Sequence, residues 1–441
     1  MRRQKRGSKK ARDGMQPRTA ATTRLPALPL DVLHAVLEHA SKPALLACSV
    51  VSRTWREAAV PHLFASLEIA RSAGSCADSS GEFLDAYPHL ARYIRRLRLV
   101  HQNPRWLILP LDTYPVVDRG MLATLLTRLP CLEELYLRSL WISTVPPRLS
   151  DVSKNTGRLR KLTLADCGAE GKPTACADLR ILLDLASAVP VDMLHIELLT
   201  VEREADNPVA SPPIRLLDCH ALRLELQAEQ SLDPGWDMMF WICDDLSAAF
   251  APCCLTSLDL GCRSLSHVEN SLRKLGQFLA HACSRTMRHL AFPVIIESTL
   301  ASNYTSEQAD FWRVVNLYQL ISIETFELAL MVPTPGYMPR VPLGAVCVAL
   351  FSVLPPVLRE VTITLWGVKE ACQVKSKEML HLGVLDDALD ARAPVLEKVR
   401  LAFRGQWYLV EFTTAAMKAM SKCKKRGILE IVQWDRRTRP M

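Results

Sequence analysis

Fourteen cysteines and eleven histidines are the side chains best suited to metal or covalent chemistry in this 441-residue chain. A structural zinc site draws its ligands in close pairs, typically Cys-x-x-Cys followed by a second pair. No Cys-x-x-Cys occurs anywhere in the chain. Cys253 and Cys254 are adjacent, with Cys262 eight residues beyond, and Cys219-His220 and His281-x-Cys283 are isolated local pairs. No metal site is expected from this spacing, and the cysteines read as small buried hydrophobes. Nucleophilic chemistry is equally short of signals: there is no Gly-x-Ser-x-Gly, no His-Glu-x-x-His and no Walker glycine loop. Thiol transfer needs one exposed cysteine activated by a base, and scattered single cysteines nominate none. The expected catalytic set is empty, no cofactor is implied, and the chemistry left is binding.

Charge is the next candidate for binding. The formal net charge is +8, yet nine Lys or Arg against the single acid Asp13 fall within residues 1–24, so the rest of the chain is close to neutral. A nucleic-acid face on the folded part is therefore not expected. The tail lacks apolar periodicity and is expected to be disordered. Its cluster Arg2, Arg3, Lys5, Arg6, Lys9 and Lys10 fits a nuclear-import signal, a solubilising arm, or weak non-specific contact with RNA or acidic membrane. No apolar run follows Met1, which argues for a reducing compartment, nucleus or cytoplasm. The uncharged run Val341 to Leu358 is interrupted by Pro342, Pro355 and Pro356 and is too short to cross a bilayer.

The elements that must position a binding surface begin at Leu28. Pro29 opens a helix in which Val32, Leu33, Val36 and Leu37 share one apolar face. Ser41 and Pro43 restart the chain as a second helix carrying Leu45, Leu46 and Cys48. A third carries Trp55, Ala58 and Ala59 and is expected to stop at Pro61.

This stretch resembles an F-box. The resemblance rests on Leu28-Pro29, Asp31-Val32-Leu33, Val36-Leu37, Leu45-x-x-Cys48, Val51-x-Arg53-x-Trp55-Arg56 and Pro61-x-Leu63-Phe64 in that order. It is most similar to the F-box proteins that fungi, mushrooms especially, encode in large numbers. The resemblance implies a non-catalytic adaptor: the F-box docks the linker subunit of a cullin-based ubiquitin ligase, and the rest of the chain selects the target protein. The implied docking set is Leu28, Pro29, Val32, Leu33, Val36, Leu37, Leu45, Cys48, Val51 and Trp55, part of it also packing the helices together.

After a small-residue linker, Arg71 to Gly81, the chain repeats itself. Apolar residues at positions one, four and six recur ten times, as Ile94-x-x-Leu97-x-Leu99, Leu132-x-x-Leu135-x-Leu137, Leu159-x-x-Leu162-x-Leu164, Val191-x-x-Leu194-x-Ile196, Cys219-x-x-Leu222-x-Leu224, Leu255-x-x-Leu258-x-Leu260, Met287-x-x-Leu290-x-Phe292, Ile323-x-x-Phe326-x-Leu328, Leu358-x-x-Val361-x-Ile363 and Leu396-x-x-Val399-x-Leu401. Their fourth positions are 27 to 38 residues apart, with helical pattern in several intervals and a weaker strand near Leu429 to Val432. Such alternation fits an ordinary α/β sheet, but ten similar phrases favour an irregular leucine-rich-repeat solenoid, parallel strands with outer helices. Cys167 occupies the inward Asn/Cys position of that repeat. The expected division is a basic tail over 1–24, the F-box over 25–70, a linker over 71–89 and the solenoid over 90–441.

In each phrase the residue between positions four and six faces away from the leucines, because strand side chains alternate. That row is Arg98, Tyr136, Thr163, His195, Arg223, Asp259, Ala291, Glu327, Thr362 and Arg400. It is expected to form a solvated concave face of mixed polarity that binds a protein target, with Arg98, Tyr136, His195, Arg223, Asp259, Glu327 and Arg400 as contacts. The long connections Asn103–Asp118, Val201–Pro213 and Val332–Pro342 are candidate rim loops. A scaffold without ubiquitin transfer is the alternative reading.

Overall fold

Pro29 takes the N-cap with φ −53° and ψ 145°, and helix α1 (Leu30–Glu38) follows directly in the computed structural model. Ser41 is extended before α2 (Lys42–Ser49), whose first turn holds Pro43 where a missing N–H breaks no helical bond. Helix α3 (Arg53–Leu63) runs through Pro61 and does not stop before it. So close to the helix end, the proline removes only the bond to the Glu57 carbonyl.

The structure describes residues 28–71, 76–102, 116–143, 157–169, 179–199, 215–226, 238–261, 269–294, 315–332, 342–368, 371–392, 394–403 and 409–433. The basic tail, Val201–Pro213 and most of the other two long connections lie outside them. The chain divides into two compact units at Leu63–Phe64.

The first unit is small. Leu33, Leu37, Leu45, Ala58 and Ala59 form its buried centre, with Ala40, Cys48, Trp55 and Leu63 packed on it. The alanines of α3 let the helices approach closely, which is how so few side chains close a core.

The second unit is built on one twelve-stranded sheet. Its strands are β1 (Ser66–Arg71), β2 (Arg96–His101), β4 (Glu134–Arg138), β6 (Leu159–Ala165), β8 (Val191–Leu199), β9 (Cys219–Leu226), β10 (Ser257–Leu260), β11 (His289–Val294), β12 (Thr325–Met331), β13 (Glu360–Trp366), β14 (Lys398–Phe403) and β15 (Leu429–Gln433). Every neighbouring pair is parallel and follows chain order. Short strands β3 (Val116–Val117), β5 (Trp141–Ile142) and β7 (Gly168–Ala169) form a second parallel sheet. A parallel neighbour cannot be reached by a tight turn, so the chain must return between strands. It does so through helices such as Arg119–Arg128, Leu179–Ala186, Glu269–Ala282, Leu343–Val353 and Leu382–Asp390.

All ten phrases are strands over their fourth to sixth positions, and the fourth positions fall in one unbroken register from Leu97 through Leu135, Leu162, Leu194 and onward to Val399. They share a single core with helix residues such as Leu122, Leu182, Leu275 and Leu350, so the helices cover this face of the sheet. The sheet begins earlier than the phrases do. Ser66–Arg71 is its first strand and Cys76–Ala86 is a helix, where the small-residue composition of 71–81 reads as a loop. Helix Met238–Ala249 likewise carries no clear sequence signal, being apolar nearly all round. The N-terminal helices and the large parallel sheet with flanking helices make a solenoid-like α/β architecture.

Candidate functional site

The first candidate surface lies on α1 and α2. A helix turns about 100° per residue, so adjacent apolar residues cannot all share one narrow face. Leu33 and Leu37 point inward, whereas Val32 and Val36 are exposed, correcting the single face read from their spacing. Leu45 is also buried, and Cys48 and Trp55 are half-buried against the core. Leu28, Pro29 and Val51 are exposed. Three further exposed apolar residues, Leu30, Leu46 and Val50, were not in the expected set. Small units rarely leave so many large apolar side chains in water without a partner to cover them.

The second candidate surface is the sheet face turned away from the helices. The row from Arg98 to Arg400 is laterally continuous, each member in register with the next: Arg98 with Tyr136, Tyr136 with Thr163, His195 with Arg223, Arg223 with Asp259, Thr362 with Arg400. Glu68 extends it at one end and Glu430 at the other. The row is less solvated than alternation alone implies. Thr163, His195, Asp259, Ala291 and Glu327 are buried, and Arg223 is mostly so.

Its charges engage neighbours within and across strands. Arg98 Nη1 is 3.4 Å from Glu68 Oε2, and its guanidinium lies 4.6 Å from the Tyr136 ring centre. Arg223 reaches Glu225 at 2.6 Å and Asp259 at 3.3 Å. His195 sits between two carboxylates, 3.3 Å from Glu197 and 3.5 Å from Glu225. Burial nonetheless holds its pKa below the ordinary imidazole value, so the ring is neutral at pH 7. Arg400 pairs with Glu430 at 3.0 Å, and Lys398 with the same carboxylate at 2.9 Å. A separate row at the strand starts alternates in sign and pairs with itself, as Arg95–Glu133, Arg288–Glu324 and Arg359–Glu397.

Most of the other cysteines are buried. Cys167 is buried with Sγ 3.5 Å from the Leu137 carbonyl of the preceding repeat, an inward bridging position. Burial pushes the thiols of Cys219, Cys347 and Cys423 up to about 12. Among the described residues, no group of three or more His, Cys, Asp or Glu is placed to hold a metal ion.

The F-box-like family model matches residues 25–69. The chain carries an F-box-like domain. No curated protein matches the chain. The F-box-like domain comprises α1, α2 and α3, and the match runs past Leu63 into β1. Its presence supports a general adaptor role in complexes of the ubiquitin-ligase type. Its motif residues were legible in the sequence, but their division into core and surface was not. Leu46 and Val50 each sit beside a residue of the expected set, Leu45 and Val51, and Leu30 falls between Pro29 and Asp31, outside the apolar spacing.

Proposed function

We propose that this protein is the substrate-recognition adaptor of a cullin-based ubiquitin ligase. The observation that carries the reading is the set of exposed apolar side chains on α1 and α2, from Leu28 to Val51, surrounding a core that is closed without them. The F-box-like domain docks the linker subunit through Leu28, Leu30, Val32, Val36, Leu46, Val50 and Val51, and Leu33, Leu37 and Leu45 hold the helices in place. The parallel sheet is an irregular leucine-rich repeat, supported by the repeated phrase, the unbroken register and the inward Cys167. Its helix-free face takes the target protein. The chain acts in the nucleus, the cytoplasm or both, with the tail from Arg2 to Lys10 directing import. The family is that of fungal F-box proteins.

Co-purification of the full chain with recombinant linker subunit tests the reading. Stable capture by the wild type, lost on replacing Val36 and Val50 by Asp, is expected. Failure of the folded wild type to bind the linker would overturn it.

A further inference from the structure

The sheet ends on β15, and we infer that this edge pairs with the same strand of a second copy of the chain, antiparallel and about a two-fold axis at Ile431. Among the described residues, β15 is hydrogen-bonded on one side, to β14. The Val399 N–H donates to the Ile428 carbonyl at 2.8 Å. The parallel register then turns the backbone groups of Glu430 and Val432 toward β14 as well. Those of Leu429 and Ile431 point the opposite way, out of the sheet edge.

The strand carries none of the features that keep sheet edges apart. Such edges are blunted by lysine, proline or a bulge. β15 reads Leu-Glu-Ile-Val-Gln and keeps an even register with β14. Its apolar layer also ends without a cover. Val399 and Leu401 are 0 % exposed, but their neighbours in register, Leu429 and Ile431, stay half-buried against the same core. The last repeat of a solenoid needs a polar outer side to remain soluble alone. One further strand completes the layer and takes up the outward N–H and C=O groups.

Charge and register select the second copy and its orientation. Stacking β15 on the β1 of another copy, in continuation of the parallel register, sets Glu430 directly beside Glu68, and like charges so placed are destabilising. That arrangement also leaves an edge for the next copy, so it never closes. An antiparallel pair closes after two chains. Opposed residues share a face, so the two-fold axis falls on a single residue. An axis at Glu430 sets the two Glu430 side chains opposite each other. An axis at Ile431 centres the whole of β15, lets Ile431 exchange both outward bonds with its own copy, and sets Glu430 opposite Val432. The Glu430 carboxylate is meanwhile turned back to Lys398 at 2.9 Å and Arg400 at 3.0 Å, so its charge is met within its own chain. A five-residue strand pair is small for a permanent interface, so the dimer is weak and forms as concentration rises.

Sedimentation equilibrium of the full chain, from low to high micromolar concentration, tests the pairing. The mass is expected to rise from one chain to two and to stop there. Ile431→Pro deletes an outward N–H and no bond to β14, a position where an edge strand tolerates proline. It should weaken dimerisation about tenfold, and thermal melts check that the variant is folded. Val432→Lys sets a lysine opposite Glu430 of the second copy and should tighten the pair several-fold, less so as salt rises. This second variant decides the matter if the proline variant does not fold. A chain that stays monomeric, masses that climb beyond two chains, a dimer indifferent to Ile431→Pro in a folded variant, or a dimer weakened by Val432→Lys would each overturn the proposal.

Discussion

Val36 and Leu37 are neighbours in α1 with opposite fates: Val36 is 57 % exposed, and Leu37 is 1 % exposed in the centre of the three-helix core. The same helix therefore builds its domain with one residue and offers a surface with the next.

Substituting the two separates docking from folding. Val36→Asp should abolish linker co-purification with little change in the melting temperature of the chain. Leu37→Ala should lose about 2–5 kcal/mol from a core of few side chains and unfold the domain. Limited proteolysis over residues 28–63 reads the difference: protection retained in the first variant and lost in the second.

A second prediction concerns Asp386, a buried carboxylate on helix Leu382–Asp390. It accepts the backbone N–H of Lys422 at 2.7 Å and of Cys423 at 2.9 Å, and so caps the start of helix Ser421–Lys425 from outside. Asp386→Ala leaves those donors unsatisfied and should cost about 1–3 kcal/mol. Hydrogen exchange should accelerate over residues 421–433 before it does so near β2.

Acid sensitivity follows from two buried imidazoles. Burial lowers the pKa of both His101 and His195 from 6.5. The unfolded chain then binds more protons than the folded one as pH drops below about 6.5, so stability present above that value is lost below it. Denaturant midpoints measured from pH 7.5 down to pH 5.5 should fall, and His195→Gln should flatten part of the slope. A midpoint that rises on acidification would contradict the assignment.

Thiol labelling checks the cysteines. Among the described residues Cys131 and Cys372 are exposed, whereas Cys167, Cys219, Cys243, Cys283, Cys347 and Cys423 are buried. Iodoacetamide at pH 8 should modify Cys131 and Cys372 within minutes and the buried set only on unfolding. Mass spectrometry after brief treatment gives the order.

The local sequence determined the elements that recur at short range. The period-two phrase with apolar residues at positions one, four and six specifies a half-buried strand wherever it occurs, and ten copies at similar spacing already imply parallel neighbours. The order of apolar and proline residues from Leu28 to Phe64 specifies three helices in the same way. What it left open depends on partners distant in the chain. Whether His195 is solvated depends on side chains one strand away, about 30 residues along the sequence, and those neighbours bury it. Which of Val36 and Leu37 faces inward depends on where α3 brings Ala58 and Ala59. Ser66–Arg71 becomes a strand because β2 offers it a hydrogen-bonding edge, although its own residues carry only a weak strand pattern. Spacing sets direction within an element, but burial and charge pairing are set across elements, and only the tertiary structure brings those together.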